Sequence, residues 1–192
     1  MEKEKNHLYK IVKPIYTILL KLLYNPQVLG KENIPEEGPV IFVGNHVHAF
    51  DPIMVMSSTK RIVHYMAKEE LFKGLHGWLF RKIGAIPVHR KSSNQLAVME
   101  AERILKNGGT VGIFPEGTRN RIKGELLPFK KGAAMIAQRT NSKVIPFAIK
   151  GEYKLLRKSI IIQYGGPVDL SNLEKNEATE KIRVEVLKLI RK

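Results

Sequence analysis

The chain has 192 residues, 43% of them hydrophobic and 27% charged, which suits one globular domain with its own core and excludes a disordered polymer. Its 33 Lys and Arg against 18 Asp and Glu leave a formal charge of +15, which favours a polyanionic partner (nucleic acid, anionic lipid or a phosphorylated substrate) without choosing among them. The lack of cysteine excludes disulfides, thiolate metal sites and a cysteine nucleophile.

The charged start MEKEKNHLYK is followed by no small-residue cleavage site, so no secretory leader is expected. No run approaches the roughly 18 apolar residues of a spanning helix. The segment HLYKIVKPIYTILLKLLY predicts a helix in which Leu8, Ile11, Val12, Ile15, Ile18, Leu19, Leu22 and Leu23 share an arc of roughly 140°. Lys10, Lys13 and Lys21 lie opposite, Tyr9 and Tyr16 lie at the boundary, and Pro14 is a point of kinking. Such a helix either covers the core or lies in a membrane interface.

NPQVLGKENIPEEGP is punctuated by Pro and Gly and predicts a loop holding a short strand. PVIFVGN predicts a strand, and DPIMVMSSTK a helix with Asp51 as N-cap and Pro52 in the first turn. RIVHYMAK and GAIPVHR predict strands on either side of one helix, EELFKGLHGWLFRK. SSNQLAVMEAERILKNGG predicts a helix with a Ser cap and a Gly stop. TVGIFPEGTRNR follows as strand then loop, and KKGAAMIAQRTN as a helix. VIPFAIKG and SIIIQYGGPVDL add strands, and NEATEKIRVEVLKLIRK closes as an amphipathic helix. Strands alternating with helices imply a single-domain α/β layered sheet, substantially parallel and flanked by helices. Residues 1–25 form an N-terminal amphipathic segment and 26–192 the main domain. In open α/β sheets the ligand crevice lies outside the carboxyl ends of the strands, where the unusual residue clusters of this chain fall.

The first such cluster is VIFVGNHVHAFDP, residues 40–52, which holds one of only two aspartates in the chain. An imidazole takes a proton from an alcohol near neutral pH, and a carboxylate on its other nitrogen fixes the tautomer and stabilises the cation that forms. His46 at a strand end and Asp51 at a helix start bring such a pair within reach; Asp51 as a plain helix cap is the bland alternative. His48 is expected to point away as support or surface. Zinc on His46, His48 and Asp51 has no HExxH or cysteine pattern behind it, and no metal is expected. No GxSxG elbow, GxxxxGK[ST] loop or GxGxxG fingerprint occurs, so the hydroxyl that His46 activates belongs to the substrate.

The second cluster is IFPEGTRNR, residues 113–121: Gly117 for close backbone approach, Thr118 for a hydroxyl and Arg119 for a fork suited to phosphate. A solvated basic turn is the bland alternative.

NHVHAFD, GAIPVHR, FPEGTR and VIPFAI, in this order, resemble the four sequence blocks of the glycerolipid acyltransferases, closest to the 1-acyl-glycerol-3-phosphate (lysophosphatidic acid) acyltransferases with their HxxxxD motif. The resemblance runs from about residue 28 to about residue 170. It implies that His46 is the general base on the lysolipid hydroxyl and that Asp51 orients it. Arg119 with Glu116, Gly117 and Thr118 would recognise the glycerol phosphate, joined by Lys68 and Arg90. Departures are His48, where many members have a small hydroxyl residue, and His89, where many have an acid or amide. The implied reaction carries a fatty acyl group from acyl-CoA or acyl-carrier protein, as co-substrate and with no cofactor, to lysophosphatidic acid, giving phosphatidic acid for phospholipid synthesis. The implied setting is the cytoplasmic face of the cell membrane, with a peripheral or monotopic protein on an anionic surface. That context favours the interfacial reading of the first helix. Glycerol 3-phosphate or another lysolipid is the alternative acceptor. A non-catalytic basic module for membrane or nucleic acid explains the charge but leaves the four ordered blocks as coincidence, and no nucleic-acid motif is present.

Overall fold

The computed structural model describes residues 7–89, 94–122 and 124–192. Seven strands form one sheet in the order β1 (Gln27–Leu29), β7 (Ile160–Tyr164), β6 (Lys143–Gly151), β2 (Val40–Gly44), β5 (Thr110–Ile113), β3 (Val63–Lys68), β4 (Ile86–Val88). The five strands from β6 to β4 run parallel, as their helical crossovers demand. No helix separates β6 from β7, so β7 returns antiparallel, and β1 runs parallel to β7. The α/β reading is thus met, with two strands at one edge reversed.

All five residues of β2 are buried, the mark of a central strand covered on both faces. Ile41 and Val43 point into a core shared with α4 (Gln95–Lys106), α5 (Gly132–Thr140) and α6 (Lys175–Arg191). Val40 and Phe42 point the other way, toward α1 (His7–Tyr24) and α2 (Asp51–Ser58). The one long helix expected across EELFKGLHGWLFRK is broken. A 3₁₀ turn, Glu69–Phe72, precedes α3 (Gly74–Lys82), which starts at Gly74 with φ +64°. Gly77 lies against the Phe72 carbonyl so closely that any Cβ would overlap it, so the fold over this turn depends on glycine. The Ser cap expected for α4 falls outside the described residues.

Helix α1 has the outward aliphatic face of the interfacial reading, but its polar residues are not all where the sequence reading put them. It docks through Tyr9, Leu20 and Tyr24, which are buried in the α2-side core, and leaves Ile11, Ile15, Ile18, Leu19 and Leu22 exposed, each more than half accessible. Lys13, expected on the solvent side, turns inward. Its Nζ donates to the Thr59 carbonyl at 2.6 Å and the Arg61 carbonyl at 3.0 Å, at the C-terminal end of α2. The aliphatic face is therefore the outer one, which removes the core-covering reading for those side chains. Among the described residues no helix is long and apolar enough to cross a membrane.

Candidate active site

Because β6, β2, β5, β3 and β4 are parallel, their carboxyl ends share one edge, and the segments that follow them carry Tyr153, His46, the 116–119 turn, Lys68 at the end of β3, and His89. Past Gly44, Asn45 continues the β2–β6 pairing with its side chain: Nδ2 donates to the Ile149 carbonyl at 2.9 Å and Oδ1 accepts from the Ile149 N–H at 2.8 Å. The main chain is thereby free to turn at His46. There the loop after β5 grips it from both sides. The His46 N–H donates to Glu116 Oε1 at 2.9 Å, and the Asn120 N–H donates to the His46 carbonyl at 2.6 Å.

The His46 and Asp51 side chains meet as expected, Nδ1 to Oδ2 at 2.8 Å. Asp51 is fully buried and His46 is 19% exposed, so the carboxylate is sealed while the imidazole can still be reached. Asp51 Oδ2 also accepts from the N–H groups of Val47 and His48, each at 2.7 Å, and Oδ1 accepts from the Tyr153 hydroxyl at 2.5 Å. The expected N-cap role is not found: Asp51 is the first residue of α2 and its side chain turns back to the loop before the helix. A carboxylate can only accept, so the pairing assigns the proton to Nδ1 and leaves Nε2 with a free lone pair. Phe114 stacks beneath the imidazole at 4.2 Å, and Tyr65 stacks beneath Phe114 at 5.1 Å. The Tyr65 ring fits only because residue 112 is glycine, where a Cβ would stand 2.4 Å from the ring. His48 supports rather than duplicates His46: its ring stacks on Tyr153 at 4.1 Å and its Nδ1 accepts from the Phe50 N–H at 3.3 Å.

The loop after β5 divides the labour among its residues. Gly117 sits at φ +69°, and Thr118 and Arg119 are exposed. Glu116, expected among the residues that recognise the glycerol phosphate, turns inward. It is buried, Oε1 is taken by His46 N–H, and Oε2 accepts from the Leu127 N–H at 3.0 Å. Its work is to brace the two loops together. Lys68 pairs with Glu70 at 2.8 Å with both side chains about half exposed, a weak and exchangeable contact. Arg90 lies outside the described residues. Among those described, no three His, Asp or Glu side chains gather as a metal site.

The sequence reading missed three contributors. Tyr153 is 102 positions from Asp51, and no spacing rule joins them. Burial, and next the Asp51 charge, hold its phenol well above the ordinary value, so it stays a donor. Asn120 fixes its own loop by bonding the Glu125 carbonyl at 2.9 Å and the Ile122 N–H at 2.9 Å. Lys130, in FKKG, is the third. Its N–H donates to the Pro115 carbonyl at 2.9 Å, and its ammonium lies over Gly117, 2.7 Å from where a Cβ would be. The positive φ of Gly117, not this contact, is what favours glycine there, since the flexible ammonium could move aside.

An imidazole held by a buried carboxylate thus stands beside a basic turn on the carboxyl edge of a parallel sheet. Residues 25–150 match the family model described as Acyltransferase, and the chain belongs to the acyltransferase family. It is 32% identical over 175 residues to the 1-acyl-sn-glycerol-3-phosphate acyltransferase of Borreliella burgdorferi, covering 84% of this chain and 70% of that protein. It is 34% identical over 146 residues to the Bacillus subtilis protein of the same name, covering 75% and 72%. The crystal structure of the 1-acyl-sn-glycerophosphate (LPA) acyltransferase PlsC from Thermotoga maritima superposes with a TM-score of 0.75 at 26% identity, over 100% of this chain and 83% of that one.

Proposed function

We propose that this enzyme transfers a fatty acyl group from a thioester, acyl-CoA or acyl-carrier protein, to the free hydroxyl of lysophosphatidic acid, releasing phosphatidic acid. The carrying observation is the His46–Asp51 pair at 2.8 Å, with the imidazole 19% exposed beside the basic 117–119 turn.

The acceptor phosphate docks on Arg119 and Lys130, with Lys68 released from Glu70 to join them; Arg90, outside the described residues, is assigned to the set by the sequence resemblance alone. A bidentate guanidinium and an ammonium suit a phosphate monoester, and fixing it presents the neighbouring hydroxyl to His46. Nε2 takes the hydroxyl proton as the oxygen attacks the thioester carbonyl. The resulting imidazolium is stabilised by Asp51, which is itself held by two backbone N–H groups and Tyr153. When the tetrahedral adduct collapses, the C–S bond breaks and the thiolate takes the proton back from Nε2. No covalent acyl-enzyme forms.

The acceptor and product are lipids, so the exposed aliphatic face of α1 is placed on an anionic bilayer with the basic surface toward its headgroups. The protein is peripheral on the cytoplasmic face of the membrane. Transfer of labelled palmitate from its CoA thioester to lysophosphatidic acid, compared for wild type and His46→Ala, tests the reading. Product from the first and almost none from the second is expected, and equal transfer by both would remove the mechanism. An acceptor panel with one donor tests the substrate: glycerol 3-phosphate or another lysolipid outperforming lysophosphatidic acid would overturn that assignment.

A further inference from the structure

The turn between β6 and β7 presents Leu155 and Leu156 to solvent at 60% and 76% exposure, among the most accessible large apolar side chains described. Leu156 adopts φ +58°, a region that leucine rarely enters because its Cβ crowds the following carbonyl. Two contacts hold it there. The Leu156 N–H donates to the Leu23 carbonyl in the last turn of α1 at 2.6 Å, and Ser159 Oγ closes the base of the turn on the Glu152 carbonyl at 2.5 Å. The protein thus uses a strained backbone to display two leucines, a cost without return in water. The tip is bonded to the last turn of α1, the helix on which Leu19 and Leu22 are exposed. Lys154, Arg157 and Lys158 flank it, all exposed.

We propose that Leu155 and Leu156 form a second membrane-inserting element, which enters an anionic bilayer beside α1. Apolar side chains at a tip ringed by cations match the interface, where leucines pass below the headgroups and basic groups stay among the phosphates. The proposal rests on the reading that the acceptor is a lipid. It adds a direct connection from bilayer to chemistry, because Tyr153, two residues before the tip, bonds Asp51 and stacks on His48. Insertion of the tip therefore sets the catalytic pair at the height of the headgroups, where a lysolipid hydroxyl lies.

The test uses the full chain carrying Leu155→Ser and Leu156→Asn, asparagine being at ease at positive φ. Partition onto vesicles of equal parts phosphatidylglycerol and phosphatidylcholine should fall by about tenfold or more. The thermal midpoint and transfer to a short-chain, monomeric lysophosphatidate should stay at wild-type values. In a second measurement, Leu155→Trp in a Trp78→Phe background should shift its emission to the blue on these vesicles and be quenched by lipids brominated in their acyl chains. A tip tryptophan that remains unquenched while the protein is vesicle-bound would overturn the proposal. So would unchanged partition with a raised KM for an acyl-carrier-protein donor, which would give the tip to protein docking. A wild type that transfers no acyl group to any acceptor, yet loses vesicle binding with the tip leucines, would instead remove the enzymatic reading and leave the membrane element standing.

Discussion

The Tyr153 hydroxyl reaches Asp51 Oδ1 at 2.5 Å while His46 Nδ1 holds the other oxygen at 2.8 Å, so one buried carboxylate ties the loop after β6 to the imidazole after β2. Tyr153 touches no reacting atom and acts by positioning Asp51. Loss of a hydrogen bond to a charged group costs about 1.5–3 kcal/mol, and part of that appears in the transition state, where the imidazolium leans on the carboxylate. Tyr153→Phe should lower kcat by roughly tenfold, about 1.4 kcal/mol, with little change in KM. On an Asp51→Asn background the same substitution should cost much less, because the group it positions is gone. Additive losses would place Tyr153 outside this network.

His46 and His48 differ in what they can offer a substrate. His46 has its Nδ1 fixed and Nε2 open, whereas His48 is stacked on Tyr153 and engaged by the Phe50 N–H. His46→Ala should lose about 10²–10⁴-fold or more in kcat, the usual range for a general base. His48→Ala should retain a substantial fraction. Steady-state rates on one acceptor decide it, and comparable losses would mean that the base is misassigned.

Glu116 and its neighbours should separate by readout. Glu116→Ala leaves the N–H groups of His46 and Leu127 without partners, which costs about 2–4 kcal/mol in total and should lower the thermal midpoint by roughly 5–10 °C. Arg119→Ala and Lys130→Ala remove exposed cations, so the midpoint should stay while KM for the phosphorylated acceptor rises by on the order of tenfold or more. A Glu116 variant that melts normally but binds acceptor poorly would restore its direct contact with substrate.

These separations also mark what was legible in the sequence. Strand and helix alternation revealed the layered sheet because β2 and its neighbours are short apolar runs divided by punctuated loops. His46 and Asp51 were legible because they are five residues apart, close enough for one turn to unite them. The inward turn of Glu116 was not legible because its neighbours Thr118 and Arg119 face solvent, and no pattern within a loop says which member turns inward. Tyr153 and Lys130 were hidden for a different reason: each reaches the site only through sheet order, which brings the end of β6 beside β2 and folds the 130 region back on Pro115. The apolar face of α1 was legible, but helical periodicity does not say what holds the other side; Tyr9 and Lys13 hold it by finding hydrogen-bond partners there.

That inward lysine gives the docking of α1 a pH signature. Burial pushes Lys13 down from 10.5 to about 8. The folded value lies below the unfolded one, so between about pH 8 and 10.5 the unfolded chain binds more protons, and stability rises with pH across that window. The penalty of burying the ammonium is fully present below it. Tyr9 and Tyr16 limit the rise from above: burial, their first cause, raises both phenols, so the unfolded chain gives up their protons first and stability falls once pH passes about 10. Lys13 keeps some contact with water, which screens part of the effect, so a midpoint increase of about 2–4 °C from pH 7.5 to 9.5 is expected, as for roughly 1 kcal/mol in a chain of this size. Lys13→Met removes the titrating group and should flatten that limb while leaving the fall above pH 10. Thermal melts of both proteins across this range provide the check, and an equal rise in the two would show that the ammonium is not buried against α2.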